Sequence, residues 1–370
     1  MSRRHRLPEP ERKSKSRESA GLPCRGDVQK ENARINATFN TDSLPRFTLA
    51  HLPTPVEELT RLSAFLGGPA ILVKRDDQTG LAFGGNKTRK LEFLVGEALA
   101  VRADTLLTAG AAQSNHCRQT AAAAAHAGLR CELVLGGEPG DIPEGNLLLD
   151  TMFGATIHWR GPERRGEHLE EAARLVRASG HFPYVVPYGG SNAVGATGYA
   201  LAMVELMDQL PRAGRKIDRI VLASSSGGTQ AGLVVGGKAT GFAGEILGVC
   251  IDKAGHGAES YEVEMQALAD ATAARIGLDA RFTPGDFKVD RRFLGGGYGV
   301  VGPAEREALL LTARMEGILL DPVYTGRAMG ALIGMIRARE IPAGETVLFW
   351  HTGGTPALFA YAAEITGINE

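Results

Sequence analysis

Between residues 71 and 351, short apolar runs alternate with longer segments of helical spacing, and half of the apolar runs stop at glycine or serine. ILVKRDD (71–77), TLLTAG (105–110), CELVLGG (131–137), ATIHW (155–159), PYVVPYGG (183–190), RIVLAS (219–224), EILGVCID (245–252) and TVLFWH (346–351) read as strands. NHCRQTAAAAAHAG, EHLEEAARLVRASG, ATGYALAMVELMDQL and PAEREALLLTARMEG between them read as helices. Ser114 is placed to cap the first of these, and Gly128 to stop it. Near-continuous apolar strands separated by helices predict an α/β fold, a parallel sheet covered on both faces. In such sheets ligands sit beyond the carboxyl ends of the strands, where the motifs discussed below cluster.

A chain of 370 residues suggests two domains, and its 48 glycines gather at the strand-to-helix turns. A net charge of −1 argues against a nucleic-acid or membrane-surface role. No run of 18 apolar residues exists, so no transmembrane helix is expected. Cys24, Cys117, Cys131 and Cys250 have no metal-ligand spacing. They are expected to be free thiols of a reducing cytoplasm, and no metal is expected. Residues 1–40 differ from the rest. Through Arg34 they hold ten Lys or Arg against five Asp or Glu, about +5, without apolar periodicity. They are expected to form a disordered basic extension. Glu9, Glu11 and Glu18 break the pattern of a transit peptide, and no apolar core of a secretion signal is present.

Three loops carry residues suited to chemistry. In AFGGNKTRKLEFL (82–94), Lys87 follows a Gly-Gly-Asn turn at the start of a helix whose Leu91, Leu94, Val95 and Ala98 form one apolar face. A rigid, desolvated amine there suits a Schiff-base nucleophile, because burial lowers its pKa; the bland alternative is a surface or phosphate-binding lysine. SSSGGTQAGL (224–233) joins a strand to a helix, so free N–H groups and the helix dipole make an anion site. It lacks the lysine of a nucleotide P-loop and the GxGxxG of a dinucleotide site, which leaves a phosphate monoester or a purely structural turn. GAAQSN (110–115) opens another helix and offers Ser114 and Asn115 to an anion, or simply caps the helix. Tyr324 and Thr325 in LDPVYTGRAM, and Thr352 in HTGGTP, stand at further junctions.

Taken in order, HLPTPVEEL, KRDDQTGLAFGGNKTRKLE, AGAAQSNHCRQTAAAAAHAG, SSSGGTQAGL, YGV, LDPVYTGRAM and HTGGTPALFAY resemble the D-cysteine desulfhydrase and 1-aminocyclopropane-1-carboxylate deaminase family over residues 43–368. The resemblance implies pyridoxal 5′-phosphate (PLP) as cofactor and the tryptophan-synthase-β-like fold (PLP fold type II). That fold has two open, mostly parallel twisted sheets with helices on both faces. It also implies a large PLP-binding domain from 41–86 and 200–370, a small domain from 87–199, and a homodimer.

Residue by residue, the resemblance implies that Lys87 carries the cofactor and Asn115 bonds its phenolic oxygen. Ser226, Gly227, Gly228 and Thr229 hold its phosphate, with Lys90 in reach. Ser114 binds the substrate carboxylate or assists proton transfer. Tyr324 stacks near the pyridine ring and assists proton transfer. Asn115, His116 and Tyr298 are substrate-side contacts, and Thr325 and Thr352 cofactor-side ones.

Cyclopropane-opening members carry Glu after the tyrosine and Leu after the late histidine, where this chain has Thr325 and Thr352. A carboxylate near the pyridine nitrogen strengthens the electron sink that ring opening demands. A neutral hydroxyl suffices to expel a thiolate. The implied reaction is β-elimination from a small amino acid, D-cysteine to pyruvate, ammonia and hydrogen sulfide. L-cysteate sulfo-lyase is the alternative, with Arg118 and Arg327 as sulfonate partners unless they face solvent or pair with acids. A deaminase and a non-catalytic PLP-binding protein stand behind these two.

Overall fold

The computed structural model describes residues 39, 41, 43–140, 142–213, 216–252 and 260–367. The extension at 1–40 therefore lies, Phe39 apart, outside the described residues. Among the described residues, ten strands form two sheets. In chain order they are β1 (Val56–Glu58), β2 (Ala70–Arg75), β3 (Thr105–Ala111), β4 (Arg130–Gly136), β5 (Thr156–Trp159), β6 (Pro183–Val185), β7 (Arg219–Ser224), β8 (Glu245–Cys250), β9 (Lys288–Asp290) and β10 (Thr346–His351). The larger sheet runs β1-β2-β10-β7-β8-β9 and the smaller β5-β4-β3-β6. All pairs are parallel except β1 with β2.

Period-two alternation divides the core of the larger sheet. In β10, Val347 and Phe349 join Ile71 and Val73 of β2 against helix Thr325–Arg337. Leu348 and Trp350 face the other way, into the main cluster with Leu72, Leu91 and Leu94. Apolar side chains on both faces need helices on both faces, which explains the uninterrupted apolar reading of these strands. Helix Asn86–Ala100 packs on helix Ala193–Ala213 and on helix Asn115–Ala127.

All eight strands expected from the sequence are present, with ends shifted by a few residues. β1 and β9 are additional. Each is a three-residue edge strand too short to show a period. Ser114 caps helix Asn115–Ala127 by accepting from Cys117 N, and Gly128 ends it in the left-handed conformation at φ +70°. Cys117, Cys131 and Cys250 are free and buried. No helix among the described residues is long and apolar enough to cross a membrane.

Candidate active site

The loops that follow β2, β3, β7 and β10 meet around one cavity. Two Gly-Gly turns lie back to back there. Gly85 and Gly353 both adopt positive φ, and a Cβ on Gly353 would fall 2.6 Å from Gly85 Cα. This contact lets Asn86 N donate to Thr352 O at 3.0 Å. The next amide, Lys87 N, donates to Gln119 Oε1 at 3.1 Å, and Asn86 Nδ2 donates to Thr229 Oγ1 at 3.0 Å. Three motifs distant in sequence are thus tied to one dipeptide.

The Lys87 side chain opens on this cavity, and its amine donates to Asn86 Oδ1 at 3.2 Å. Burial lowers its pKa to about 8; Asp321 opposes the shift and Arg118 adds to it. Near neutrality such an amine exchanges its proton readily and is a competent nucleophile.

One wall is built for an anion. Gly227 has φ +77° and caps helix Gly228–Thr240, and Ser226, Gly227 and Thr229 line the cavity. Ser226 Oγ meets Ser191 Oγ at 2.8 Å, and Ser191 Oγ accepts from Gly228 N at 3.2 Å. Lys90 Nζ donates only to Gly189 O at 3.0 Å and Ser191 Oγ at 3.2 Å. Burial first, and Lys87 second, push the Lys90 pKa well below that of a free lysine. A buried amine with neutral partners, beside a glycine helix N-terminus, fits a phosphate group, whose charge would favour its protonated form. A Cβ on Gly228 would lie 3.0 Å from Lys90 Nζ and fill that cradle. His116 Nε2 bonds Thr108 Oγ1 at 2.8 Å; burial, then Lys87 and Lys90, keep the ring neutral.

The opposite wall carries hydroxyls. Tyr324 and Tyr298 share a hydrogen bond at 2.7 Å with their rings edge to face. Arg164 stands 4.0 Å over the Tyr298 ring. Arg164 and Arg165 both donate to Asp252 Oδ2 at 2.7 Å, bridging the loop after β5 to the end of β8. Behind Tyr324 lies Asp321, fully buried. It accepts from the backbone N of Val323, Tyr324 and Thr325 and from Thr325 Oγ1, at 3.1, 3.0, 2.7 and 2.7 Å. Burial raises its pKa, and the bonds from Thr325, Tyr324 and Val323 oppose this.

Of the residues singled out in the sequence, Lys87, Asn115, His116, Ser226, Gly227, Thr229, Tyr324 and Thr352 line the cavity together. Lys90, Gly228 and Tyr298 touch its walls. Ser114, next to Asn115, caps helix Asn115–Ala127 through its side chain. Thr325 is buried behind the wall, and its hydroxyl donates to Asp321 Oδ1 at 2.7 Å. Arg118 neither faces solvent nor pairs with an acid. It is buried and donates to Asn115 Oδ1, Asn146 Oδ1 and Gly84 O. Arg327 is committed to Glu305 at 2.7 Å and to three carbonyl groups.

Sequence reasoning missed Asn86, Asp321, Ser191, Asn146 and Arg164. Asp321 stood inside a quoted motif. YGGSN (188–192) repeats the glycine-and-hydroxyl pattern of the phosphate-type loop and was legible on that ground.

The geometry is that of a lysine-bearing, phosphate-binding α/β enzyme, and residues 47–353 match the family model described as "Pyridoxal-phosphate dependent enzyme". The chain belongs to that family, and PLP is its cofactor. The D-cysteine desulfhydrase of Klebsiella pneumoniae (strain 342) is 43% identical over 328 residues, 87% of this chain and 98% of the relative. That of Salmonella schwarzengrund (strain CVM19633) is 43% identical over 326 residues, covering 86% and 96%. A solved "ACC deaminase homologue" superposes with a TM-score of 0.81 at 34% identity, covering 90% of this chain and 98% of that one. The cradle at Gly228, the Lys90 amine bonded to neutral oxygens alone and the depressed Lys87 amine all fit PLP.

Proposed function

We propose that the protein is a PLP-dependent carbon–sulfur lyase that converts D-cysteine and water to pyruvate, ammonia and hydrogen sulfide. The observation that carries this is the Lys87 amine, held near pKa 8 between an anion cradle and a tyrosine pair. The curated relatives of nearly full coverage support the substrate.

When bound, PLP supplies the electron sink that makes an amino-acid α-proton acidic. In this proposal Lys87 carries the cofactor. Lys90, Ser226, Gly227, Gly228 and Thr229 anchor the phosphate, and Asn115 donates to the ring oxygen. Lys87 Nζ, once free, takes the α-proton and returns one. Tyr324, hydrogen-bonded to Tyr298, holds a proton for the departing thiolate, and burial keeps it protonated. Ser114, Asn115 and His116 lie on the carboxylate side, and Thr352 borders the ring.

Ring opening of 1-aminocyclopropane-1-carboxylate is a second reading. The solved homologue and the carboxylate of Asp321, one hydrogen bond behind Thr325, both support it. L-cysteate is less well served, because neither Arg118 nor Arg327 has a fork free for a sulfonate. We further propose a homodimer working in the cytoplasm, on the strength of the resemblance and the reduced cysteines.

Parallel assays of pyruvate from D-cysteine, L-cysteine and L-cysteate, and of 2-oxobutyrate from 1-aminocyclopropane-1-carboxylate, test the assignment. D-cysteine should dominate. Turnover chiefly of the cyclopropane or of L-cysteate would replace the proposed substrate.

A further inference from the structure

Asn115 has one side tied and one side free. Its Oδ1 accepts from Arg118 Nη1 at 3.2 Å and from Asn146 Nδ2 at 2.9 Å. Asn146 Oδ1 accepts from the same Arg118 nitrogen at 2.8 Å. Asn146 is held in turn, its N on Gln113 Oε1 at 2.8 Å and its Nδ2 on Gln113 O at 2.9 Å. A guanidinium can only donate, so both amide groups must turn their oxygens toward Arg118. That fixes the remaining assignment: Asn115 Nδ2 is the free end, and Asn115 lines the cavity. Gly354 leaves room for this group, since a Cβ there would fall 2.7 Å from Asn115 Nδ2.

Arg118 is fully buried and its third bond goes to Gly84 O at 2.9 Å. None of its hydrogen bonds reaches a carboxylate; Asp150 and Asp321 act on it through space, but burial raises the pKa of both, so its charge is felt chiefly by the groups it touches. An amide whose oxygen accepts from a cation donates more strongly through its nitrogen. Asn146, on helix Gly145–Met152, has no exposure and no other evident task.

We propose that Arg118 and Asn146 are positioning residues that lock Asn115 as a hydrogen-bond donor into the cofactor cavity and pass the guanidinium's polarisation to the oxygen it meets. This rests on the PLP reading of the site, under which that oxygen is the cofactor's phenolic oxygen. A strengthened donor favours the anionic oxygen. It therefore lowers the pH at which the proton shared between that oxygen and the Lys87 nitrogen is lost.

The test is the visible absorption of purified holoenzyme between pH 6 and 10, for wild type, Asn146→Asp and Arg118→Lys. Asn146→Asp removes the donor to Asn115 and cancels the guanidinium charge at nearly constant volume. Its midpoint should rise by about half a pH unit or more, a roughly threefold change in proton affinity. Where the wild-type band is already constant over the range, the variant should bring a midpoint into it. Arg118→Lys keeps the charge but loses the fork, and should move the midpoint upward by less. Loss of thermal stability alone, with the band of both cofactor-loaded variants titrating as in wild type, would overturn the proposal and leave Asn146 a structural residue. Should Asn146→Asp not fold, Arg118→Lys and Asn146→Ser carry the same comparison. Wild-type protein that takes up no PLP would instead sink the cofactor reading itself.

Discussion

Arg89 and Lys90 are adjacent on one helix, both buried, and their surroundings are opposite. Arg89 donates to both oxygens of Asp76 and both of Glu205, at 2.8–3.0 Å. Lys74 joins Glu205 at 2.5 Å, and Tyr199 and Trp350 donate to Asp76 at 2.6 and 2.8 Å. Two cations face two anions, and nothing is left over for a ligand. On the other side Lys87, Lys90 and Arg118 bond only neutral oxygens. A buried cation with no carboxylate in hydrogen-bond contact is costly, and here Asp321 and Asp150 act on Lys87 and Arg118 only through space, so such a site persists where something else supplies the compensation. The balanced cluster fixes the helix on β2 and on helix Ala193–Ala213. The unbalanced one marks where an anionic cofactor belongs.

The largest effect that tests this contrast is on stability. Arg89→Met leaves the two buried carboxylates facing Lys74 alone and should cost the apoprotein about 3–5 kcal/mol in urea unfolding. Lys87→Met should leave the apoprotein as stable or more stable while abolishing turnover and the visible band. Equal destabilisation by both would erase the distinction. Lys90→Met should raise the PLP concentration for half-saturation about 10- to 100-fold, the loss of a charge-assisted bond, without weakening the apoprotein. An unchanged affinity would remove Lys90 from the phosphate site.

The pH dependence has a definite sign. The folded pKa of Lys87 lies below its unfolded value, so between about pH 8 and 10.5 the unfolded chain binds more protons. That term makes apoprotein stability rise with pH over the window, and Lys87→Met should flatten the rise. A fall with pH that Lys87→Met removes would contradict the depressed pKa. Smallest of all, Arg337→Ala breaks the surface pair with Glu307, both 47% exposed, and should change stability by under about 0.5 kcal/mol.

The contrast also explains what could be read from the chain. Strands such as β10, with Val347 and Phe349 on one face and Leu348 and Trp350 on the other, announce themselves as apolar runs between glycines. Lys87 was legible because Gly84 and Gly85 precede it at a helix start. Arg89 and Lys90 look alike in sequence; only the partners, Asp76 and Glu205 against Ser191 and Gly189, tell them apart. Those partners lie from 13 to 116 residues away. Asn146 was invisible for the same reason, since its significance is a set of bonds to Gln113, Asn115 and Arg118. The hydroxyl of Thr325 was legible, but its bond to Asp321 four residues earlier depends on how the turn folds.

Reduction of the holoenzyme with borohydride, followed by peptide mass mapping, tests the central assignment most directly. A single pyridoxyl group on Lys87, with Lys90 unmodified, is the predicted result. Label on Lys90 or on another lysine, or none in a protein that binds PLP, would contradict it.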